Sequence, residues 1–486
     1  MLIKSNPDEI QAYLVDASNF KGTCEKVFFP ENELDVISIL KDANDKNFNV
    51  TVSGNGTGLT GARVPTDGVV ISIDKLNKIL ELNIDEKYIV IEPGVLLSFL
   101  NDEVKKVNLL YPPDPTEQNC YVGATIATNA SGAKTFKYGP TRSYVLELDV
   151  ILPNGEKVEL KRGDFIAEEN LLIIKTTEND VIEILLPDYK MPATKNASGY
   201  FIHNNMDAID LFIGSEGTLG IITKAKLKLL DAPFNTLSCV VFFNSEKDGL
   251  YFISEGRKKS NSPDNPLSAR ALEFFDKNAL EFLRDDFSEI NGNFECAVWF
   301  EQEINADIED ELTELWFNQI EECNGDTDNI WVALQETDKA RIKEFRHAIS
   351  YKVNEYISRN NFRKLGTDVA VPDSDFNDFY FYCQSLVKSS GIDSVCYGHF
   401  GNSHIHLNML PKNEEEFLIG KNLYKSICEK AVELNGTVSA EHGIGKIKLD
   451  YLKLMYGDDG INKMKSIKKI LDPNFILGRG TMFIAD

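Results

Sequence analysis

Three of the six histidines in this chain lie within residues 399–406, in the segment GHFGNSHIHLN, and a fourth follows at His442. On a strand, His404 and His406 place their side chains on the same face, and His399 lies in a turn beside a glycine, from which it can fold toward them. Imidazole nitrogens grouped in this way are typical ligands of a divalent transition metal. Surface or hydrogen-bonded core histidines are the alternative explanation, but the close spacing favours the metal.

The segment AEHGIG adds a carboxylate to this set. Glu441 supplies an oxygen ligand, which gives the N,N,O donor set of a metal site that keeps positions open for a substrate. Glu441 and His442 are adjacent, so their side chains point in opposite directions on an extended chain. The sequence therefore predicts that Glu441 binds the metal and that His442 acts as a general base.

A glycine-rich loop, SGNGTGLTGARVP at residues 53–65, contains the spacing Gly56-x-Gly58-x-x-Gly61. In a dinucleotide-binding fingerprint this spacing lies between a strand and a helix, with an acidic residue about 20 positions further on. A strand is predicted before the loop and Asp74 provides the acid, but a proline and a turn follow instead of a helix. The sequence therefore disfavours the NAD-binding fold, and the missing P-loop lysine disfavours a nucleoside triphosphate.

Two further loops of small residues, 112–142 and 211–222, lie in the same half of the chain. Glycine, alanine, serine and threonine leave backbone N–H groups accessible, and successive N–H groups bind anions without a helix. Ordinary turns explain one such loop better than they explain three in one domain. We expect the three loops to bind a large, flat, phosphate-bearing ligand of dinucleotide size.

The overall composition limits the classes of protein that come into question. A length of 486 residues predicts two or three domains. The net charge of −25 disfavours nucleic acid and an anionic membrane surface as partners. No export signal and no membrane-spanning run is evident, so a cytoplasmic protein is expected. The eight cysteines are dispersed without a C-x-x-C pair, which predicts mostly buried thiols and neither an iron–sulfur cluster motif nor a disulfide framework.

The hydrophobic pattern indicates the elements that position these residues. Residues 1–230 are predicted to form one α+β unit, and a second domain with long amphipathic helices is predicted to begin near residue 231. The clearest predicted elements are a strand at 26–29, a helix at 33–46, a strand at 48–53, and helices at 308–323, 338–357 and 414–436.

Six segments of the chain occur in the order and spacing of a known family. They are VSGNGTGLTGARVP, PPDPTEQN with GATIATNASGAKTFKYGPTR, LFIGSEGTLGIIT, GHFGNSHIHLN, SAEHGIGK and LDPNFILGRG. Through these segments the chain resembles the FAD-linked oxidases of the vanillyl-alcohol oxidase type over about residues 25–483. Within that type it is most similar to the D-2-hydroxyacid dehydrogenases, which include D-lactate and D-2-hydroxyglutarate dehydrogenases and the flavin subunit of glycolate oxidase.

The resemblance implies an α+β fold: a two-subdomain FAD-binding domain of the vanillyl-alcohol oxidase type, an α+β substrate domain and a helical C-terminal segment. The expected ranges are 1–230 for the FAD-binding domain, 231–412 for the substrate-binding domain and 413–486 for the helical segment that completes the active site. FAD is expected to be bound non-covalently, because nothing in the sequence resembles the histidine-bearing glycine loop of covalent flavoproteins.

The resemblance also assigns roles to individual residues. Those expected to contact FAD are Ser53, Gly54, Asn55, Gly56, Thr57, Gly58, Leu59, Pro113, Asp114, Gly123, Thr125, Asn129, Ser131, Gly132, Tyr138, Thr141, Glu216, Gly217, Gly220 and Ile221. The expected ligands of the metal, zinc or manganese, are His399, His406 and Glu441, and the expected base is His442. Arg346 is expected to bind the substrate carboxylate, and the other expected substrate contacts are Ser350, Asn408 and His404.

Some positions depart from the family pattern. The usual Asp-Gly-Asn is Asn-Ser-His at 402–404, which changes the turn and makes His404 an additional candidate contact. The usual Asn-Pro-Gly near the end is Gly-Arg-Gly at 478–480, which puts that flavin or substrate contact in doubt. The role of Arg346 comes from the resemblance, because its residue type alone is better explained by the solvated face of an exposed helix.

The substrate is expected to be a D-2-hydroxy monocarboxylate such as D-lactate. Members of the family that act on a second carboxylate are expected to have a lysine two residues before the position of Asp368, and Gly366 occupies that position here. D-2-hydroxyglutarate and glycolate are the alternative substrates, and Lys364 or Arg363 lies close enough in sequence to supply the cation that the second carboxylate of D-2-hydroxyglutarate requires.

The expected reaction is hydride transfer from the hydroxyacid to flavin, followed by reoxidation by an unidentified acceptor: a quinone, a cytochrome or an electron-transfer flavoprotein. A homodimer and a peripheral position at the inner membrane are both compatible with this assignment. A metal hydrolase is one alternative, but it leaves the three small-residue loops unused. A catalytically silent flavin-binding protein is another, but it does not need His442 beside a metal ligand.

Overall fold

The computed structural model describes residues 1–360 and 362–484. The strands, in chain order, are β1 Leu2–Lys4, β2 Lys26–Phe29, β3 Val50–Ser53, β4 Val69–Ser72, β5 Ile79–Asn83, β6 Tyr88–Ile91, β7 Leu109–Leu110, β8 Val145–Ile151, β9 Lys157–Lys161, β10 Leu171–Lys175, β11 Val181–Leu185, β12 Ile221–Lys228, β13 Leu230–Asp231, β14 Asn235–Phe243, β15 Ala269–Asp276, β16 Cys296–Ile304, β17 Asp326–Ala333, β18 Leu365–Gly366, β19 Val369–Ala370, β20 Ser394–Gly398 and β21 His404–Met409. The α-helices are α1 Pro7–Ile10, α2 Glu33–Lys46, α3 Leu97–Lys105, α4 Val122–Ala127, α5 Thr135–Tyr138, α6 Ile209–Phe212, α7 Glu246–Ser260, α8 Lys277–Leu283, α9 Glu309–Glu322, α10 Glu336–Arg359, α11 Phe376–Ser390, α12 Glu414–Glu433 and α13 Leu449–Leu471.

The first sheet lies near the N-terminus and has the order β1-β2-β4-β3, in which β2, β4 and β3 run parallel. Helix α2 begins where the Asn32 side chain accepts a hydrogen bond from the N–H of Asp35, and it ends at Asn47, which adopts the left-handed conformation with φ 54°. The glycine-rich loop 54–68 then connects β3 to its neighbour β4 without a helix, as the sequence predicts.

A second, antiparallel sheet of the first half has the order β5-β6-β12-β8-β9. The second half of the chain forms an eight-stranded antiparallel sheet of order β17-β14-β16-β15-β20-β21-β18, with β19 paired to β21. All eight residues of β15, in the middle of this sheet, are buried. Strands β15, β20 and β21 carry or adjoin most of the site described below.

The C-terminal part of the chain connects the two halves. Helix α13 is broken at Gly457, whose φ of 66° is not helical. After this helix the chain returns to the first sheet, where Val50 N–H donates to Ile476 O at 2.7 Å and Gly478 N–H donates to Val50 O at 2.9 Å. The segment 437–446, between α12 and α13, passes between the two halves and carries Glu441 and His442.

The α+β fold class expected from the sequence is confirmed, and the predicted helices at 33–46, 308–323, 338–357 and 414–436 correspond to α2, α9, α10 and α12. The domain boundaries at 230 and 412 stay predictions. All eight cysteines are free thiols, and all except Cys24 are buried. Within residues 1–360 and 362–484, no helix is both long enough and apolar enough to cross a membrane.

Candidate active site

A glycine turn brings the first histidine onto the strand that carries two others. His399 follows β20, and His404 and His406 lie on the neighbouring antiparallel strand β21. Gly398 has a φ of 151°, and a Cβ atom there would lie only 3.1 Å from His404 O and His406 N. A larger residue at this position would push the turn away from β21, so glycine allows His399 to approach the other two histidines.

Glu441 is the point at which two of these imidazoles converge. Its Oε1 lies 3.3 Å from His399 Nε2 and 3.1 Å from His406 Nε2. The backbone of this segment is held by Asp368, whose Oδ1 accepts from Glu441 N–H at 3.2 Å and whose Oδ2 accepts from His442 N–H at 3.1 Å. The fold therefore brings together the three expected metal ligands.

The outer ring nitrogens of both imidazoles have partners of their own. His399 Nδ1 lies 2.6 Å from Glu273 Oε1, and His406 Nδ1 lies 3.2 Å from the carbonyl oxygen of Thr367. Both partners are acceptors, so the network assigns a proton to each Nδ1 and leaves both Nε2 atoms facing Glu441. The lone pairs of the two Nε2 atoms then face Glu441 Oε1, which lies within 3.3 Å of both nitrogens. Such a group of acceptors requires a cation or a proton between them, so the residues fit a divalent metal.

The protonation of these groups follows from burial and neighbouring charge. Burial raises the pKa of Glu441, but attraction to Lys195 and His399 outweighs it and holds that pKa well below its ordinary value. Burial lowers the pKa of His399, but attraction to Glu273 and Glu441 outweighs it and the pKa is raised. The pKa of His406 is lowered, chiefly by burial.

His404 differs from the other two histidines of the cluster. Its side chain is fully buried, with Nε2 2.9 Å from Asp368 Oδ1 and Nδ1 3.3 Å from Lys195 Nζ. Burial, His406 and Lys195 hold the pKa of His404 well below its ordinary value, so the ring is neutral. Both ring nitrogens have protein partners, and the substrate contact expected of His404 stays a prediction.

The expected base, His442, remains accessible beside the cluster. Its side chain is 28% exposed, and its Nδ1 lies 3.2 Å from Asp368 Oδ2. The carboxylate accepts from Nδ1–H, which leaves Nε2 as the basic nitrogen. The expectation that Glu441 and His442 point in opposite directions is wrong, because the chain is not extended but bends at these two residues, and His442 Nε2 lies 3.6 Å from Glu441 Oε1.

Arg346 is buried on α10 and faces the same cluster. Its side chain is only 9% exposed and its Nε lies 3.4 Å from Glu273 Oε2, so the interpretation of a solvated helix face is wrong. This Nε has no hydrogen-bond partner, and Nη1 is 3.0 Å from His347 Nε2. A buried guanidinium with a planar set of donors is the group that binds carboxylates most specifically.

The other two expected substrate contacts lie on either side of one tyrosine. Ser350 Oγ, one turn beyond Arg346 on α10, lies 3.4 Å from Tyr397 OH. Asn408 is buried on β21. Burial raises the pKa of the Tyr397 phenol, and the hydrogen bonds that Ser350 and Asn408 make with this phenol partly offset the shift.

The small-residue loops of the first half surround one cleft. Among the expected FAD contacts, those that line it are Gly54, Gly123, Glu216, Gly217, Gly220 and Ile221. The expected contacts that do not line it are Ser53, Asn55, Gly56, Thr57, Gly58, Leu59, Pro113, Asp114, Thr125, Asn129, Ser131, Gly132, Tyr138 and Thr141. Four of the expected contacts that line the cleft are glycines, and they leave room for a flat ligand close to the backbone.

Some of these residues have partners within the protein. Thr125 Oγ1 donates to Val122 O at 2.8 Å, Thr141 Oγ1 donates to Ala130 O at 2.7 Å, and Tyr138 OH donates to Glu303. Asp114 pairs with Lys134 at 2.8 Å. Ser131 Oγ donates to Glu441 Oε2 at 3.2 Å, which places this loop against the histidine cluster.

Glu216 also connects the cleft to the C-terminal part of the chain. Its carboxylate accepts from the N–H groups of Ile444 and Gly445, both at 2.7 Å, and burial raises its pKa to about 7. These bonds hold the segment after His442 against the first half. The cleft and the histidine cluster are therefore neighbours across the two halves of the chain.

Arg63 lines the cleft and was not singled out from the sequence. Its Nη1 donates to Gly54 O at 2.9 Å, its Nη2 donates to Ala12 O, and its Nε has no partner. Burial lowers the pKa of this guanidinium, and no described carboxylate pairs with it in a salt bridge. A half-buried arginine that makes no salt bridge within the described residues fits the pyrophosphate of FAD. An arginine within a run of small residues is the signal that could have identified it.

Lys195, Glu273 and Asp368 also contact the site residues, and sequence reasoning gave none of them a role. Glu273 lies in the largely apolar segment ALEFF, and an acidic residue on a fully buried strand indicates a buried partner. Lys195 lies in a loop, and Asp368 precedes β19. No local pattern distinguishes these two from surface charges.

Comparison with known proteins identifies relatives over nearly the whole chain. Residues 24–161 match the model of an FAD binding domain, and residues 240–482 match the model of the C-terminal domain of FAD linked oxidases. The chain is 31% identical to a D-lactate dehydrogenase of Anaerostipes hadrus, over 92% of this chain and 86% of that protein. It is 28% identical to a D-2-hydroxyglutarate dehydrogenase of Stutzerimonas stutzeri, over 99% of this chain and 96% of that protein. A structure of alkyldihydroxyacetonephosphate synthase has the same fold, with a TM-score of 0.69 at 15% identity over 98% of this chain and 81% of that one.

Proposed function

The chain belongs to the family of FAD-linked oxidases, and we propose that it oxidises a D-2-hydroxyacid to the 2-oxoacid with non-covalent FAD, a divalent metal and His442 as the base. The observation that carries the proposal is the position of Glu441. Its Oε1 faces His399 and His406, while its Oε2 is bound by Ser131 from a loop beside the flavin cleft. His399, His406 and Glu441 would hold a divalent metal there, which would supply positive charge to a substrate between the two halves of the chain.

The cofactors and the side chains have different roles in the proposed reaction. Bound FAD supplies a two-electron acceptor, and a zinc or manganese ion supplies positive charge that makes the substrate hydroxyl more acidic. Arg346 binds the substrate carboxylate through its guanidinium. His442 accepts the hydroxyl proton at Nε2, with its ring fixed by the bond between Nδ1 and Asp368.

Glu273 contacts both an expected metal ligand and the arginine proposed to bind the substrate carboxylate. It lies 2.6 Å from His399 Nδ1 through one oxygen and 3.4 Å from Arg346 Nε through the other. One buried carboxylate therefore fixes both a metal ligand and the carboxylate-binding arginine, which sets the spacing between the two ends of the substrate. The carrier that reoxidises the flavin is proposed to be a quinone, a cytochrome or an electron-transfer flavoprotein.

FAD is predicted to leave the protein on denaturation. The loop at 53–61 contains no histidine for a covalent link. Acid or heat precipitation should release all flavin absorbance into the supernatant, and chromatography should identify it as FAD. Flavin that stays on the precipitated chain would contradict non-covalent binding, and a pure protein without flavin absorbance would favour a metal hydrolase.

The substrate is predicted to be a monocarboxylate such as D-lactate. Gly366 pairs with Asn408, and a Cβ atom at Gly366 would lie 2.8 Å from Asn408 Oδ1. Position 366 therefore supplies no cation. Burial of the second carboxylate of a substrate without a cationic partner costs several kcal/mol. We expect kcat/KM for D-lactate to exceed that for D-2-hydroxyglutarate.

The same comparison of kcat/KM for the two substrates can contradict this prediction. A preference for the dicarboxylate above about tenfold, or ~1.4 kcal/mol, would show that another cation makes the contact. Lys364 is the residue to test in that case, because burial lowers its pKa and the structure gives it no ion pair among the described residues. D-2-hydroxyglutarate would then become the favoured substrate and the proposed oxidation itself would stand.

A further inference from the structure

Lys195 is a buried cation that the first half of the chain inserts into the histidine cluster. Its side chain is only 5% exposed. The residues after it fix its position: Asn196 Oδ1 accepts from Thr437 Oγ1 at 2.6 Å, and Ala197 N–H donates to Ser439 O at 2.9 Å. These bonds hold Lys195 against the segment that leads to Glu441, so its placement is built into the fold.

The ammonium group binds the carboxylate oxygen that does not face the imidazoles. Lys195 Nζ donates to Glu441 Oε2 at 2.8 Å, and Ser131 Oγ donates to the same oxygen at 3.2 Å. Glu441 Oε1 is left to His399 and His406. The two oxygens of one carboxylate are thus assigned to different partners.

His404 and Asp368 hold the lysine in this position. The neutral ring of His404 accepts from Lys195 Nζ at Nδ1, 3.3 Å away, and donates from Nε2 to Asp368 Oδ1 at 2.9 Å. Asp368 Oδ2 also lies 2.8 Å from Lys448 Nζ, which balances its charge. Lys195 Nζ is thus held between Glu441 Oε2 and His404 Nδ1, and His404 is held in turn by Asp368.

We infer that Lys195 is a positioning residue that turns Glu441 Oε1 toward the metal, and that His404 serves as the acceptor that holds the lysine. The inference rests on the proposed metal site. A carboxylate without an outer partner can rotate or bind through both oxygens, whereas an outer hydrogen bond selects one geometry. Loss of such an outer partner typically weakens metal binding by about 10- to 100-fold.

The charge of Lys195 acts on metal binding in the opposite direction. The ammonium lies beside a metal ligand, and repulsion between two cations would weaken metal binding. The two effects have opposite signs when the charge is removed, because loss of orientation weakens binding and loss of repulsion strengthens it. The sign of the change therefore decides between them.

The test is the dissociation constant of Mn²⁺ for the FAD-loaded protein, measured by electron paramagnetic resonance of free Mn²⁺. We expect Lys195→Met to weaken Mn²⁺ binding by about 10- to 100-fold while FAD content stays that of the wild type. Lys190→Met, an exposed lysine of the same segment, is the matched control and should leave Mn²⁺ binding unchanged. His404→Asn, which cannot span both partners, should weaken binding in the same direction.

Unchanged or tighter Mn²⁺ binding by Lys195→Met would overturn the inference. Failure of the wild-type protein to bind Mn²⁺ or Zn²⁺ stoichiometrically would instead overturn the metal site, and the inference with it. If both variants lose FAD, a crystal structure of the Mn²⁺-loaded wild type decides. Lys195 Nζ should remain on Glu441 Oε2 with the metal on Oε1, and a lysine displaced from the carboxylate would contradict its role.

Discussion

Replacement of His399 with alanine is expected to abolish reduction of the flavin by substrate and to leave the FAD absorbance spectrum intact. His399 Nε2 is one of the two imidazole nitrogens that converge on Glu441 Oε1, and its loss leaves an incomplete donor set. The flavin cleft is lined by residues between Val52 and Ile222, so the substitution does not touch it. Rapid-mixing absorbance under anaerobic conditions measures the reduction, and elemental analysis measures the bound metal.

Chelation of the wild-type protein should reproduce the same loss, and added Zn²⁺ or Mn²⁺ should restore activity to the chelated wild type but not to His399→Ala. His203→Ala, an exposed histidine away from the cluster, is the control and should behave as wild type. Full activity of a protein from which all metal has been removed would refute the metal requirement.

Replacement of His442 with alanine is expected to slow flavin reduction by a factor on the order of 10² or more, the typical contribution of a general base. Its ring is partly exposed and fixed by Asp368, which suits a group that exchanges a proton with a bound substrate. Because His442 is not among the expected ligands, the metal content should stay near that of the wild type. Single-turnover reduction at saturating substrate isolates this step from reoxidation.

Two outcomes would contradict this assignment. A near-normal reduction rate in His442→Ala would mean that another group accepts the proton. Loss of the metal together with the activity would mean that His442 acts as a ligand. The 3.6 Å between His442 Nε2 and Glu441 Oε1 would then be a distance between two ligands of the same metal. The metal content of the variant distinguishes between the two.

The elements with strong local patterns could be predicted from the sequence. Helix α2 is bounded by polar capping residues and its apolar side chains follow the helical period, so its predicted range matches the structure. A metal site was also predicted from the close spacing of the histidines, and the resemblance to the family implied His399, His406 and Glu441 as its ligands. The fold confirms that these side chains converge.

The remaining contacts of the site could not be predicted in this way. Lys195 meets Glu441 across 246 positions of sequence, and Glu273 meets His399 across 126. Hydrophobic periodicity describes neighbours within one element and contains no information about such distant pairs. The burial of Arg346 was missed for a related reason, since its helix packs both its apolar face and this guanidinium toward the eight-stranded sheet.

Anaerobic mixing of the purified protein with matched D- and L-2-hydroxyacids, followed by flavin absorbance, tests the central claim most directly. The proposed function predicts that the D isomer of at least one hydroxyacid bleaches the flavin and yields one 2-oxoacid per FAD, while its L isomer leaves the flavin oxidised. A flavin that no D-2-hydroxyacid reduces, or that the L isomers reduce faster, would contradict it.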